Sequence, residues 1–231
     1  MAKQLRIASL MLHTSPLEQA GIGDAGGMNV YVVESAKRIA ESGIGVDIYT
    51  RANRSGLPEV VEIADGVNVR HLEAGPYGGI TKDELPSQVC ALMSSFMHQE
   101  ARLASNYYEL VHSHYWISGQ LGWLISERLS IPLVNNMHTM AKVKNLALAE
   151  GEKAEPEIRA IGEEQVVKAS SALIANTASM YTLIRANNAG LIVLLKPRII
   201  NLTDCYVQIT NTTSLTVGES VAANLYYDLV D

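Results

Sequence analysis

Residues 5–51 read LRIASLMLHTSPLEQAGIGDAGGMNVYVVESAKRIAESGIGVDIYTR. Leu5 to Leu12 is a near-continuous apolar run, the mark of a strand covered on both faces. A loop rich in Pro and Gly follows. The next stretch places Val30, Val33, Ala36, Ile39 and Ala40 on one helical face, and Gly43 stops the helix. GVDIYTR then supplies a second buried strand. Strand, helix, strand in this order is a βαβ unit, and such units wind a parallel sheet.

The same alternation runs on through the chain. GVNVRHL is a strand, Lys82 to Ser105 an amphipathic helix, and YELVHSH a buried strand. Ile117 to Leu129 is a helix, IPLVNNMH a strand, Pro156 to Ala169 a helix with Pro in its first turn, and SALIANT the sixth strand. The expected fold class is α/β, a Rossmann-like parallel sheet flanked by helices. Ligands of such sheets sit at the carboxyl ends of the strands. From about Ala186 the character changes to LIVLLKPRIINL and CYVQITNTTSLTV, rich in β-branched residues, Asn and Thr. The expected division is therefore a Rossmann-like domain over 1–185 and a β-rich tail over 186–231, with the sequons at Asn201 and Asn211 read as chance.

Composition fits a globular protein. Of 231 residues 48% are apolar and 18% charged, with 18 basic against 24 acidic side chains and a net charge of −6. That balance speaks against nucleic acid and membrane surfaces as partners, since both require a positive face. Cys90 and Cys205 lie far apart and match no zinc or redox spacing. No run approaches the roughly 20 apolar residues that span a bilayer. The expected compartment is the reducing cytoplasm.

The chemistry-bearing residues cluster at expected strand ends. GIGDAG, Gly21 to Gly26, satisfies a dinucleotide fingerprint literally, but His13 to Ala20 separate it from the strand. The second strand also ends in Tyr49, Thr50 and Arg51 where an acidic residue is needed, which disfavours a nicotinamide site. Gly26, Gly27, Met28 and Asn29 instead read as the first turn of a helix, with unpaired N–H groups suited to phosphate. Two glycines let a ligand approach the backbone. Asp24 caps the helix or binds a sugar hydroxyl, and residue type leaves both open. His112 and His114 are assigned to opposite faces of their strand, an arrangement that disfavours joint metal ligation. With no HExxH or carboxylate cluster, the expected pocket holds no metal and no cofactor. Lys82, Lys142, Lys144 and Arg159 have phosphate reach, and Lys82 and Arg159 stand beside rim loops.

HTSPLEQAGIGDAGGMNVYVVESAKRIAESGIGVDIYTRA, AGPYGGITKDELPSQ, HSHYWISGQLGW and MHTMAKVKN, in this order, resemble the N-terminal half of the D-inositol-3-phosphate glycosyltransferases. These are retaining enzymes of glycosyltransferase family 4 that start mycothiol synthesis in actinobacteria. The resemblance covers about Arg6 to Thr177, and sucrose-phosphate synthases are similar more distantly. It implies the N-terminal domain of a GT-B fold, which holds the acceptor, 1D-myo-inositol 3-phosphate, while UDP-N-acetylglucosamine is the co-substrate. Acceptor contacts then fall on His13, Asp24, Ala25, Gly26, Gly27, Met28, Asn29, Lys82, Tyr115, Thr139 and Arg159. Donor contacts fall on Gln19, Ala20 and Gly27, and His138 matches the histidine near the reacting sugar. Lys82 and Arg159 with the Tyr115 and Thr139 hydroxyls make a phosphate clamp in this reading, and Asp24 and Asn29 sort inositol hydroxyls.

Two departures stand out. Asn135-Asn136 replaces the His-Thr usual in these relatives. The tail is also too short for a second Rossmann-like domain, which needs well over ~100 further residues. The expectation is an acceptor-binding half, its partners a sugar phosphate and a nucleotide sugar, with a homodimer left open. The alternatives are a transferase resembling sucrose-phosphate synthase and a non-catalytic sugar-phosphate-binding module.

Overall fold

The computed structural model describes residues 4–18 and 26–175, together with the backbone of 191–197 and 205–210. The chain forms two compact units, Met1–Ile131 and Pro132–Asp231.

In the first unit the apolar run that opens the sequence becomes β1 (Arg6–Leu10), with Ile7, Ala8 and Leu10 each at most 2% exposed. After the loop come α1 (Gly27–Glu41) and β2 (Gly45–Arg51), whose first six residues are all buried, the polar Asp47 and Thr50 among them. Then follow β3 (Val60–Ala64), β4 (Val67–Leu72), a 3-10 turn over Leu85–Gln88, α2 (Val89–Glu100), β5 (Leu110–His114) and α3 (Trp116–Leu129). The strand order is β3-β4-β2-β1-β5. β1 pairs in parallel with β2 and β5, β2 in parallel with β4, and β3 antiparallel with β4. From β1 the chain moves outward to β2 and β4, then returns past β1 to β5. Right-handed crossovers in opposite directions put α1 on one face of the sheet and α2 and α3 on the other. This reversal between β1 and β5 is the topological switch point, where open parallel sheets bind ligands.

The core is built from both faces. On one, Val32, Ala36 and Ile39 of α1 pack over Ile7, Ser9, Val46, His112 and His114. Elsewhere Tyr49 and Phe96 stack at 4.7 Å, and the Tyr49 hydroxyl meets that of Tyr108 at 2.7 Å. Tyr108 donates its proton to Asp47, which is wholly buried and also accepts from Arg6, Asn68 and Arg70. Four donors on one carboxylate satisfy it without water.

Four expectations shift. Residues two apart on a strand share a face, and the rings of His112 and His114 accordingly lie 4.0 Å apart on the side of α1, not on opposite faces. The buried face of α1 runs through Asn29, Val32, Ala36 and Ile39, while Val30 is 48% exposed. The face is turned because hydrogen bonds of Asn29 draw that residue inward. The helix expected over Lys82–Ser105 is confined to Val89–Glu100 after the 3-10 turn. The edge strand β3 went unread because half-exposed VVEIA has neither a continuous apolar run nor a clean alternation.

The second unit contains β6 (Leu133–Asn136), α4 (Ala141–Leu146), α5 (Glu157–Ala169), β7 (Ala172–Ala175), β8 (Leu191–Pro197) and β9 (Cys205–Thr210). β6, β7 and β8 are parallel and β9 turns back antiparallel to β8. Of the tail segments read as strands, 191–197 and 205–210 are strands, and the remainder lies outside the described residues. No described helix is long and apolar enough to cross a membrane.

Candidate functional site

In the first unit the site forms at the switch point. β1 runs out into His13 and β5 into Tyr115, and because these strands are neighbours the two rings meet at 4.7 Å. Tyr115 takes a left-handed backbone, φ 73°, a strained conformation for a non-glycine residue, immediately before α3 begins. The loop after β1 is tied down by the Leu12 N–H, which donates to Ser118 Oγ at 3.1 Å.

The same loop is fastened to α1. Asn29 is 3% exposed and its amide is fully used. Oδ1 accepts from the Gly26 N–H at 3.1 Å, while Nδ2 donates to Thr14 Oγ1 at 3.2 Å and to the Ser15 carbonyl at 2.8 Å. Thr14 in turn donates to Glu18, which accepts from Asn53 beyond β2. Asn29 thus braces the helix start against the His13 loop.

Gly26 and Gly27 have ordinary negative or extended backbones, and a Cβ built on either meets nothing within 4 Å among the described residues. Neither conformation nor packing therefore requires glycine here. What the two glycines leave is bare backbone at the first turn, where the Gly26 N–H is held by Asn29 Oδ1 and the Asn29 N–H by the Gly26 carbonyl, so that the N–H groups of Gly27 and Met28 are the ones available at the positive end of the dipole. Met28 is partly exposed beside them. Lys82 lies on the exposed stretch between β4 and the 3-10 turn. Gln19, Ala20, Asp24 and Ala25 fall outside the described residues.

In the second unit a sharp turn leaves β6. His138 has φ 56°, its N–H donates to Asn136 Oδ1 at 3.1 Å, and the Thr139 N–H donates to the Met137 carbonyl at 2.6 Å. Thr139 is met by Arg159 from α5, whose guanidinium donates to Thr139 Oγ1 at 2.9 Å and to its carbonyl at 3.3 Å. Arg159 is 4% exposed and is held between two carboxylates, Glu163 at 2.8 Å and Glu155 at 2.6 Å. Glu163 also accepts the Ala141 N–H, capping the start of α4, and Glu155 pairs with Lys144. Burial pushes the Glu163 carboxyl above the usual range against the pull of Arg159. Burial acts on Glu155 too, but Lys144 and Arg159 together outweigh it and hold that carboxyl below the usual range.

Residue-type reading found Thr139 and Arg159 but missed Glu155 and Glu163. The signal was present: Glu155, Arg159 and Glu163 recur every fourth residue, Arg159 and Glu163 one turn apart on α5 and Glu155 just before its start. Among the described residues no group of three His, Cys, Asp or Glu side chains is arranged to hold a metal ion. A separate cavity of about 550 Å³ in the first unit, lined by His71, Glu73, His98 and Gln99 among others, contains none of the expected site residues.

The chain is 60% identical over 172 residues to the D-inositol 3-phosphate glycosyltransferase of Kineococcus radiotolerans, covering 74% of this chain and 40% of that protein. It is 59% identical over 176 residues to that of Streptomyces griseus, covering 76% and 37%. The chain therefore spans about 40% of the length of the curated relatives it matches. Among solved structures, sucrose-phosphate synthase from Thermosynechococcus elongatus superposes with a TM-score of 0.74 at 26% identity, over 82% of this chain and 47% of that one. Arabidopsis thaliana UGT89C1, solved with UDP-L-rhamnose, shares the fold at a TM-score of 0.53 and 11% identity, over 96% of this chain and 54% of that one. The model of the glycosyl transferase 4-like domain matches residues 26–193, so this chain, with its switch-point site and parallel sheet, belongs to the glycosyl transferase 4-like family.

Proposed function

We propose that these residues carry acceptor binding in a retaining transfer of N-acetylglucosamine from UDP-N-acetylglucosamine to 1D-myo-inositol 3-phosphate. The observation that carries this reading is the bare Gly26–Gly27 helix start, braced by Asn29 against the loop that brings His13 to Tyr115. A polyol phosphate needs N–H donors for its anion and hydrogen-bonding side chains for its hydroxyls, and this arrangement supplies both. In this reading, which rests on the likeness to inositol-phosphate transferases, Lys82, Tyr115, Thr139 and Arg159 are further phosphate contacts and His138 acts near the reacting sugar.

In such a transfer the acceptor hydroxyl attacks the anomeric carbon on the face the nucleotide leaves. The new C–O bond forms as the bond to the nucleotide phosphate breaks, and the hydroxyl proton passes to the departing phosphate oxygen. The protein contributes positioning and charge stabilisation, and the pocket uses no metal and no cofactor beyond the two substrates. Because Arg159 already faces two carboxylates, its reading is orientation of the Thr139 hydroxyl as much as direct anion binding. Partners are the two small molecules, in the cytoplasm.

Calorimetric titration with 1D-myo-inositol 3-phosphate tests this. Binding that is lost in Lys82→Ala and Tyr115→Phe is expected; a flat titration of the wild-type chain refutes it. The superposition on sucrose-phosphate synthase favours a second reading, a different sugar phosphate in the same pocket. A hexose phosphate that outcompetes inositol 3-phosphate would establish it.

A further inference from the structure

The turn that carries His138 contains an uncompensated cost. Asn136 ends β6, is wholly buried, and stands opposite Ile174 of β7. Its Oδ1 accepts the His138 N–H, yet its Nδ2 has no hydrogen-bond partner among the described residues. Turning the amide over would set an NH₂ group against an N–H and leave both groups unsatisfied, so the orientation follows from the network itself. A buried donor left unpaired weighs against the fold.

His138 lies in the left-handed region at φ 56°, where a side chain with a Cβ is strained. Such a conformation persists only where its surroundings over-determine it. Two contacts do so: the Asn136 side-chain carbonyl on the His138 N–H, and the Met137 carbonyl on the Thr139 N–H. The first is a side chain reaching two residues forward, a turn that Asn makes readily and that Thr can make through its hydroxyl.

We infer that Asn136 is the positioning residue for His138, its side-chain carbonyl holding the backbone in the left-handed form and so setting the direction of the imidazole. The buried, unpaired Nδ2 is the by-product of keeping that carbonyl in place. The functional half of this inference rests on the proposed role of His138 near the reacting sugar; the structural half does not.

The test compares Asn136→Thr with Asn136→Val, two side chains of nearly the same shape that differ in the hydroxyl acceptor. Amide hydrogen exchange of His138 in the full chain is measured with Ala141, held by Glu163, as internal control. The Thr variant is expected to keep His138 protection close to wild type. The Val variant is expected to exchange roughly tenfold faster at His138, the equilibrium worth of one intramolecular hydrogen bond, with Ala141 unchanged. Inositol 3-phosphate binding should weaken in Val and be restored in Thr, while urea midpoints of the two stay close. Equal His138 exchange in Thr and Val overturns the inference, and equal binding despite a difference in exchange overturns its functional half. A wild-type chain that does not bind inositol 3-phosphate refutes the proposed function instead, and the exchange comparison still decides the role of Asn136.

Discussion

Replacing Arg159 with Met removes the guanidinium while keeping most of the side-chain volume, so the change is electrostatic. Arg159 is 4% exposed and bridges Glu163, Glu155 and Thr139. Breaking a buried ion pair by removing one partner costs about 3–5 kcal/mol. The lower end applies, because Glu155 keeps Lys144 and Glu163 can escape its isolation by taking up a proton. For a chain of 231 residues about 3 kcal/mol lowers Tm by roughly 6–12 °C.

The loss should also depend on pH. Burial already raises the Glu163 carboxyl above its usual 4.5, and Arg159 is the largest opposing influence. Without the guanidinium it rises further, and each unit is worth about 1.4 kcal/mol. A carboxyl raised on folding binds protons more tightly in the folded state, so its stabilising contribution is complete below the unfolded value and is lost as pH climbs through the folded one. Urea unfolding followed by circular dichroism should therefore show a penalty near 3 kcal/mol at pH 8, and one smaller by about 1 kcal/mol at pH 5. A penalty below ~1 kcal/mol at both pH values, or one that grows on acidification, refutes the reasoning.

Three further outcomes are expected. Gly27→Ala should fold with stability unchanged or raised by up to about 1 kcal/mol, because nothing opposes a Cβ there and Ala favours helix, yet it should weaken inositol 3-phosphate binding at least tenfold by covering the helix start; retained affinity in calorimetry argues against a ligand at that turn. Asp47→Asn leaves Arg70 without its buried counter-charge and should cost about 3–5 kcal/mol in urea unfolding, whereas Tyr108→Phe removes one charged hydrogen bond and should cost about 1.5–3 kcal/mol. Burial holds the Tyr49 and Tyr108 hydroxyls well above their usual 10, so phenolate absorbance at pH 11 should lack the contributions of Tyr49 and Tyr108 until the chain unfolds; full ionisation without loss of circular dichroism would contradict their burial.

Much of the fold was legible because burial on both faces leaves long apolar runs. β1 announced itself this way, and α1 did so through its period and Gly43, whereas β2 and β5 bury Asp47, Thr50, His112 and His114 among their apolar residues. Edge strand β3 carried no such signature, since one side faces solvent. For His112 and His114 the two-residue period, properly applied, places both rings on one face, and the structure stacks them there. The site was partly legible too. His13 and Tyr115 stood at ends of strands that proved adjacent, and Thr139 and Arg159 proved bonded to each other. Asn29 was recognised as important, but its residue type could not show that all its hydrogen-bonding capacity is spent inside the fold.

The sequence by itself determined which residues alternate as strand and helix, which glycines open a helix, and which family the motifs resemble, because all of these are carried by local spacing along the chain. Only the tertiary structure decided that β5 returns beside β1, that Glu163 and Glu155 enclose Arg159, and that Asn136 holds His138 with one amide hydrogen-bonding group left over. Those facts depend on which distant groups share a desolvated space. There an unmet charge or donor is costly, so partners must be found across the fold, and a one-dimensional pattern does not record where they are found.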